Sequence, residues 1–464
     1  MRVDVPADLL ARLDRPGPRY TSYPTVPAWT GEFGADDWHQ ALATLGAAPE
    51  REASLYLHLP YCVKRCHYCG CNAAVPDSRD DVDRYLDHLE RELDLVAARV
   101  GRRRVIQMHW GGGTPNYQTE AQLRRTWQLV ADRFELAGEL SLECDPRAAR
   151  ADQTHLLREV GFNRISMGVQ DFDPEVQAAI GRRQPEAVTR RWVEAARAAG
   201  FTSVNLDLVY GLPHQTPERF AHSLARVLEL DPDRLAVFGY AHVPWAKPHQ
   251  AVIDEQALPD APRRFALYQQ AVETLTEAGY VWIGLDHFAR PDDELAVALS
   301  ERRLHRNFMG YTTHPDLDML ALGNSAIGDV CDHFAQNAPL VGPYEETVAR
   351  GELPVVRGLR LSDDDRIRRA IILHLMCNLE LPWDLTTARF GRGVLDVAPD
   401  APERLAPLAA DGLVTLDDTG LDVTELGRFF LRNVAADSIA HPFPSGHSRP
   451  LSRTIFAPPF AALR

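Results

Sequence analysis

The chain has 464 residues, 45% apolar and 25% charged, with a formal net charge of −15. That balance predicts two or three folded domains around a large core and argues against duplex nucleic acid as the main partner, because phosphates would be repelled. No apolar run reaches the ~18 residues of a membrane span. Residues 1–30 lack the basic start and apolar core of a signal peptide, so the cytoplasm is the expected compartment.

Residues 1–53 read as an arm rather than a stable unit. Ala7 to Leu13 predicts two helical turns and Asp36 to Leu45 a short amphipathic helix. Between them, Gly17 to Thr25 is expected to be extended, since its prolines disfavour helix. An apolar strand-like run, 54–59, then leads into Tyr61-Cys62-Val63-Lys64-Arg65-Cys66-His67-Tyr68-Cys69-Gly70-Cys71. Three readings compete for this cluster. Disulfides require an oxidising compartment. A structural zinc site wants four closed ligands, usually on two separated knuckles, and no second pair stands at that spacing. An iron–sulfur cluster is held by thiolates. Spacings of three and then two residues supply three ligands, Cys62, Cys66 and Cys69. Cys71 is too close to Cys69 to reach the far iron easily. One iron would stay open, as at a catalytic centre.

From 54 to about 290, strands and helices alternate. Strands are predicted at 54–59, 105–110, 139–144, 164–169, 203–209, 235–240 and 281–287. The helix carrying Val82 to Val100 ends at Gly101. Thr119 and Gln122 form a capping box, and Thr216-Pro217 starts another helix. This alternation predicts a parallel sheet. Without a dinucleotide glycine fingerprint, the fold class is α/β, a partial (βα)6-type barrel. Its catalytic groups should stand where strands end. Successive strand ends carry the cysteine loop, Gly111-Gly112-Gly113-Thr114, Glu143-Cys144-Asp145, Gln170-Asp171, Asp207 with Tyr210-Gly211, and Tyr240-Ala241-His242.

Residues 291–359 read as mixed loop and helix extending the barrel, with a glycine-rich segment at 322–328. From 360 to 435 the pattern is helix, helix and hairpin, a mostly helical, winged-helix-like domain. Its wing, 411–425, holds acidic residues and no Lys or Arg, which favours packing over DNA binding. Residues 436–464 read as an irregular tail.

Cys-x3-Cys-x2-Cys after a strand resembles the radical S-adenosylmethionine (SAM) superfamily. Several motifs narrow the likeness: Arg19-Tyr20-Thr21-Ser22-Tyr23-Pro24, Cys69-Gly70-Cys71-Asn72, His109-Trp110, Asn163 to Phe172, Asp207 to Pro213, and Asp286 to Ala296. Over about 15–435 the chain looks like the oxygen-independent coproporphyrinogen III dehydrogenases. The resemblance implies a [4Fe–4S] cluster on Cys62, Cys66 and Cys69, with SAM on its open iron, and two SAM molecules in all. It implies that Tyr56, Gly112, Glu143 and Ile327 contact the cluster-bound SAM. Tyr68, Gly113, Thr114, Gln170, Arg182, Asp207 and Ala241 would contact the second. Cys71 would have a catalytic-site role. Without the resemblance, Glu143 and Asp207 could be strand-end carboxylates in ion pairs, and Tyr56 and Ile327 ordinary core residues. The implied reaction is haem-biosynthetic: a 5′-deoxyadenosyl radical drives oxidative decarboxylation of two propionates of coproporphyrinogen III to vinyl groups, giving protoporphyrinogen IX. An electron donor and an acceptor, both unidentified, and a monomeric state go with it. Arg19, Arg290 and Arg306 are candidates for the substrate carboxylates, since an acidic protein needs local positive charge to bind a tetra-acid. Two alternatives compete: a haem chaperone of the same superfamily, with His242, His287 or His305 as axial ligand, and a zinc-stabilised regulator.

Overall fold

A computed structural model describes residues 3–14, 20 and 22–439. Pro18, Arg19 and Thr21 of the arm motif, and the tail beyond Ile439, lie outside the described residues.

The strands are β1 (Ala53–Leu59), β2 (Arg104–Gly112), β3 (Glu135–Cys144), β4 (Arg164–Gln170), β5 (Ser203–Tyr210), β6 (Arg234–Gly239), β7 (Val281–Gly284), β8 (His287–Ala289), β9 (His305–Asn307), β10 (Gly310–Thr312), β11 (Asp318–Leu322), β12 (Ile327–Val330), β13 (His333–Asn337) and β14 (Val355–Arg360). One twelve-stranded sheet has the order β14-β13-β12-β11-β1-β2-β3-β4-β5-β6-β8-β7. From β1 to β6 neighbours pair in parallel, joined by crossover helices, so all six strand ends face the same side. Helices Arg79–Val100 and Pro217–Glu229 begin and run as the periodicity predicts, and Thr119 and Gln122 cap the helix Glu120–Ala131 reciprocally.

Two expectations need correction. The run 281–287 is not a seventh parallel strand. It breaks at Leu285, which has a positive φ of 41°, and becomes the hairpin β7–β8. β8 runs antiparallel to β6. Residues 291–359 are also not loop and helix alone. β11 lies parallel to the free edge of β1, and β12, β13 and β14 extend it antiparallel. Short strands without strict alternation hide from a periodicity argument, yet they cover an edge that would otherwise present unpaired backbone groups.

The C-terminal part packs helices Asp363–Asn378 and Ala401–Ala410 with a small sheet of β15 (Glu380–Pro382), β16 (Val414–Leu416) and β17 (Gly420–Val423). Arg369 pairs with Asp329 of β12 and ties this part to the sheet.

Glu92, buried on the helix Arg79–Val100, joins that helix to the strand extension. It accepts from Gly323 N at 2.8 Å, Asn337 Nδ2 at 2.7 Å and Tyr344 Oη at 2.7 Å. Burial, opposed by these donors, raises its carboxyl to about 7. Glu92→Gln turns an amide N–H₂ toward groups that already donate. The expected loss is about 1–3 kcal/mol, read as a lower urea midpoint at pH 8.

Candidate active site

The site starts with how the chain leaves β1. Ala74 N donates to Pro60 O (2.8 Å) and Cys62 N to Ala74 O (2.9 Å), which closes the cysteine loop at its base. On the other side, Gly113 N donates to Leu59 O (2.9 Å) and Thr114 N to Tyr61 O (3.0 Å). This passage is too tight for side chains. A Cβ on Gly113 would lie 2.3 Å from Pro60 O, and one on Gly112, where φ is +107°, would lie 2.5 Å from the His58 ring. The triple glycine is therefore a condition for the loop's position. Thr114 Oγ1 then reaches Cys62 Sγ at 3.1 Å.

The far side of the loop is held by charge. Arg147 Nη2 stands 3.4 Å and Arg182 Nη1 3.8 Å from Cys66 Sγ. Both arginines share Asp145 Oδ2, at 2.6 and 3.0 Å. Burial works against the Asp145 carboxylate, but Arg182 and Arg147 outweigh it and hold its pKa at about 2. Desolvation likewise opposes the Arg182 cation, and Asp145 and its neighbours win, so it stays charged.

Below the loop is a cavity of about 300 Å³. Strand ends line it in the expected order. Glu143 accepts from Gly112 N at 3.3 Å and faces His109 Nε2 at 3.5 Å. Gln170 sits at a bulge with φ +70°. Arg182 Nη2 donates to Gly168 O at 2.6 Å. Asp207 accepts from Asn205 Nδ2 (2.7 Å) and Ser166 Oγ (3.2 Å). Desolvation, helped by the Glu143 charge, pushes Asp207 up to about 7.

The profile of the Radical SAM superfamily matches residues 56–227, and that of the HemN C-terminal domain matches 361–430. The oxygen-independent coproporphyrinogen III oxidase of Escherichia coli K12 is 45% identical over 435 residues, covering 93% of this chain and 94% of that protein. The protein of that name from Helicobacter pylori is 38% identical over 450 residues, covering 96% and 98%. A solved structure, described as coproporphyrinogen III oxidase (HemN) from Escherichia coli, a radical SAM enzyme, superposes with a TM-score of 0.89 at 43% identity over 94% of this chain and 99% of that one.

The chain belongs to the oxygen-independent coproporphyrinogen III oxidase family.

That family is a radical SAM family, so a [4Fe–4S] cluster and SAM are its cofactors. The residues present fit them. Three cysteine side chains that could ligate a cluster, Cys62, Cys66 and Cys69, stand on one loop. Cations face Cys66, where a thiolate would need them. Glycine backbone borders the cavity next to the loop. Among the described residues no three His, Cys, Asp or Glu side chains converge on a single ion.

Of the sequence-predicted residues, Cys62, Cys66, Cys69, Cys71, Tyr68, Gly112, Gly113, Thr114, Glu143, Gln170, Arg182, Asp207 and Ala241 line this one cavity. Tyr56 stands behind its wall: a Cβ on Gly111 would meet both the Tyr56 ring and the Glu143 carboxyl at 3.2 Å. Ile327 is not in the lining. It packs on β12 against the cluster of Trp29, Phe334 and Leu361. Arg290 is not at the site either. It sits where β8 meets the start of β6, at the opposite end of the strands, and bonds to Asp231 O (3.2 Å) and Pro232 O (3.3 Å). Arg306 lies over the Tyr311 ring at 4.7 Å, and Tyr311, not Arg306, reaches the cavity. Arg19 lies outside the described residues. The three histidines considered as haem ligands stand on separate elements, and His242 is taken up by Tyr240 and Glu255.

Sequence reasoning missed Arg147 and Asp145 as holders of the loop, and His58. Burial lowers His58 to about 4, so it stays neutral and links Tyr56 Oη (3.1 Å) to Asn72 O (3.1 Å). The charged group at the end of β3, Asp145-Pro146-Arg147, was a signal. Its partner Arg182 lies 37 residues on, and no local pattern announces that pairing.

Asp207 has a folded pKa of about 7, above its value in an unfolded chain. Its contribution to stability is therefore fully present below about pH 4 and lost as pH rises to 7. Because the group borders an open cavity, the loss is about 1–2 kcal/mol. Asp207→Asn in the cofactor-free protein should flatten the decline in urea stability between pH 5 and 8 by that amount; parallel curves for the two proteins would refute this.

Proposed function

We propose that this protein catalyses the oxygen-independent oxidative decarboxylation of two propionate side chains of coproporphyrinogen III to vinyl groups, giving protoporphyrinogen IX for haem synthesis. The observation that carries this reading is the junction of three cysteines with one cavity walled by six strand ends. Relatedness over more than nine-tenths of the chain to proteins named for this substrate supports it.

When bound, the cluster and SAM supply the carbon radical that takes a hydrogen atom from the propionate β-carbon. Each propionate then loses carbon dioxide and one electron, which leaves a vinyl group, and the electron passes to an acceptor. The chain's own residues bind, orient and exclude water. Cys62, Cys66 and Cys69 are the cluster ligands. The Gly112 backbone lets the methionyl part of SAM approach, and Glu143 takes its ammonium. Tyr56 and Ile327 also contact the cluster-bound SAM, Ile327 flanking its adenine. A second SAM fits the remaining groups: Arg182 for a carboxylate, Asp207 for a cation or hydroxyl, with Tyr68, Gly113, Thr114, Gln170 and Ala241 completing the wall. A cationic ligand beside Asp207 would draw its proton off near neutral pH. Cys71, between the loop and the cavity, is the candidate for a proton or hydrogen donor. The protein works as a monomer in the cytoplasm, where thiols stay reduced. No helix of the described residues is long and apolar enough to cross a membrane.

The test is one anaerobic assay of protein reconstituted with iron and sulfide, given reductant, SAM and coproporphyrinogen III. 5′-Deoxyadenosine, methionine and a two-vinyl product are expected. Cys66→Ser should lose the cluster absorbance and at least about 100-fold in product. SAM cleavage with the porphyrinogen left intact would overturn the reading.

A further inference from the structure

Arg147 is a charged group that the binding of SAM leaves without a task. Arg182 lines the cavity, where a carboxylate can reach it, but Arg147 is not among the lining residues. Its side chain is nevertheless fixed by a chain of contacts. Asp145 N donates to Asn116 Oδ1 at 2.9 Å, and Asp145 O accepts from Asn116 Nδ2 at 3.1 Å and from Ala148 N at 2.9 Å. Asn116 is fully buried and sits on the turn Pro115–Tyr117, which follows the triple glycine. Asp145 then holds the Arg147 fork. Its Oδ1 accepts from the Arg147 backbone N at 2.9 Å and from Nε at 3.0 Å, and its Oδ2 from Nη2 at 2.6 Å. In that position Nη2 also stands 3.4 Å from Cys66 Sγ.

An ion pair that only closed the turn after β3 would not need a sulfur within reach. The Arg147 side chain keeps 22% of its surface exposed, so water is open to it, and Nη2 still faces the thiol. Cys62 Sγ, by contrast, meets a neutral hydroxyl, Thr114 Oγ1. The ligand cysteines are therefore not equivalent. The potential of an iron–sulfur centre follows its net charge, its burial and the hydrogen bonds to its sulfurs. An added electron adds negative charge, so a fixed cation stabilises the reduced form more than the oxidised one. Arginine keeps its charge at any working pH, and its planar fork can hold a carboxylate and a sulfur at once.

We propose that Arg147 raises the reduction potential of the cluster by donating to Cys66 Sγ, an inference that rests on Cys66 being a cluster ligand. An external one-electron reductant loses the electron and the cluster gains it; Arg147 exchanges no atom or proton.

The test uses full-length protein reconstituted with iron and sulfide. Without SAM, it is titrated anaerobically with titanium(III) citrate and redox mediators, and the reduced cluster is followed by electron paramagnetic resonance. Arg147→Gln removes the charge and shortens the reach. Its reduction equilibrium should fall about tenfold, which is about 59 mV for one electron. Arg147→Lys keeps the charge without the fork and should lie between the two. Iron and sulfide content, and SAM affinity by titration calorimetry, should match wild type in both variants. Arg350→Gln removes an exposed arginine outside the cavity lining and should leave the potential unchanged. Cluster-loaded Arg147 variants with the wild-type potential would overturn the proposal, as would an equal shift in Arg350→Gln. Weaker SAM binding at an unchanged potential would also overturn it and make Arg147 a support for Arg182. Failure of both Arg147 variants to take up a cluster would overturn it too and make Arg147 a folding residue. Wild-type protein that takes up no cluster would instead count against the cluster assignment.

Discussion

The constraint on which the site depends is the passage of the Gly112-Gly113 backbone along the exit of β1. Leu59, Pro60 and Tyr61 are hydrogen-bonded on one side to Gly113 and Thr114 and on the other to Ala74. That double clasp sets where the cysteine loop begins and ends. A side chain at Gly113 would push the loop off the sheet, and every contact made by Cys62 or Cys66 would move with it. The parallel pairing of β1 with β2 keeps the two strand ends level, and the glycines turn level ends into contact.

The second support is electrostatic. An iron–sulfur loop concentrates thiolates, which burial disfavours. Burial pushes the Cys62 thiol up to about 12 in the cofactor-free chain. Arg147 and Arg182 bring positive charge to Cys66, and Asp145 keeps the two cations from facing each other unpaired. Breaking such a buried group by removing one member leaves an uncompensated charge. The Asp145 cluster therefore works as a unit that spans the ends of β3 and β4.

The same cavity holds a carboxylate of the opposite kind. Asp207 has only neutral donors, Ser166 and Asn205, and its carboxyl rises to about 7. Asp145, with two arginines, falls to about 2. Two aspartates on strands separated by β4 are set apart by burial and by the groups that face them, which gives one wall a fixed charge and the other a charge that a cationic ligand can induce.

The sequence by itself determined the six parallel strands, the helices between them, the three closely spaced cysteines after the first strand and the expectation that polar groups gather at strand ends. Each is a local pattern: periodicity, caps, spacing. Only the tertiary structure decided which charges meet. Arg182 reaches Asp145, while Arg290, equally basic and in an equally suggestive motif, turns out to brace the start of β6, because β8 runs antiparallel and carries it to the far end. The same holds for β11 to β14. Their place beside β1 depends on an edge that needed hydrogen-bond partners, and short strands without strict alternation carry no periodic mark of that need. Local rules read what a residue's neighbours in the chain impose. Long-range pairing depends on which surfaces remain unsatisfied once the local elements exist, and that is settled in three dimensions.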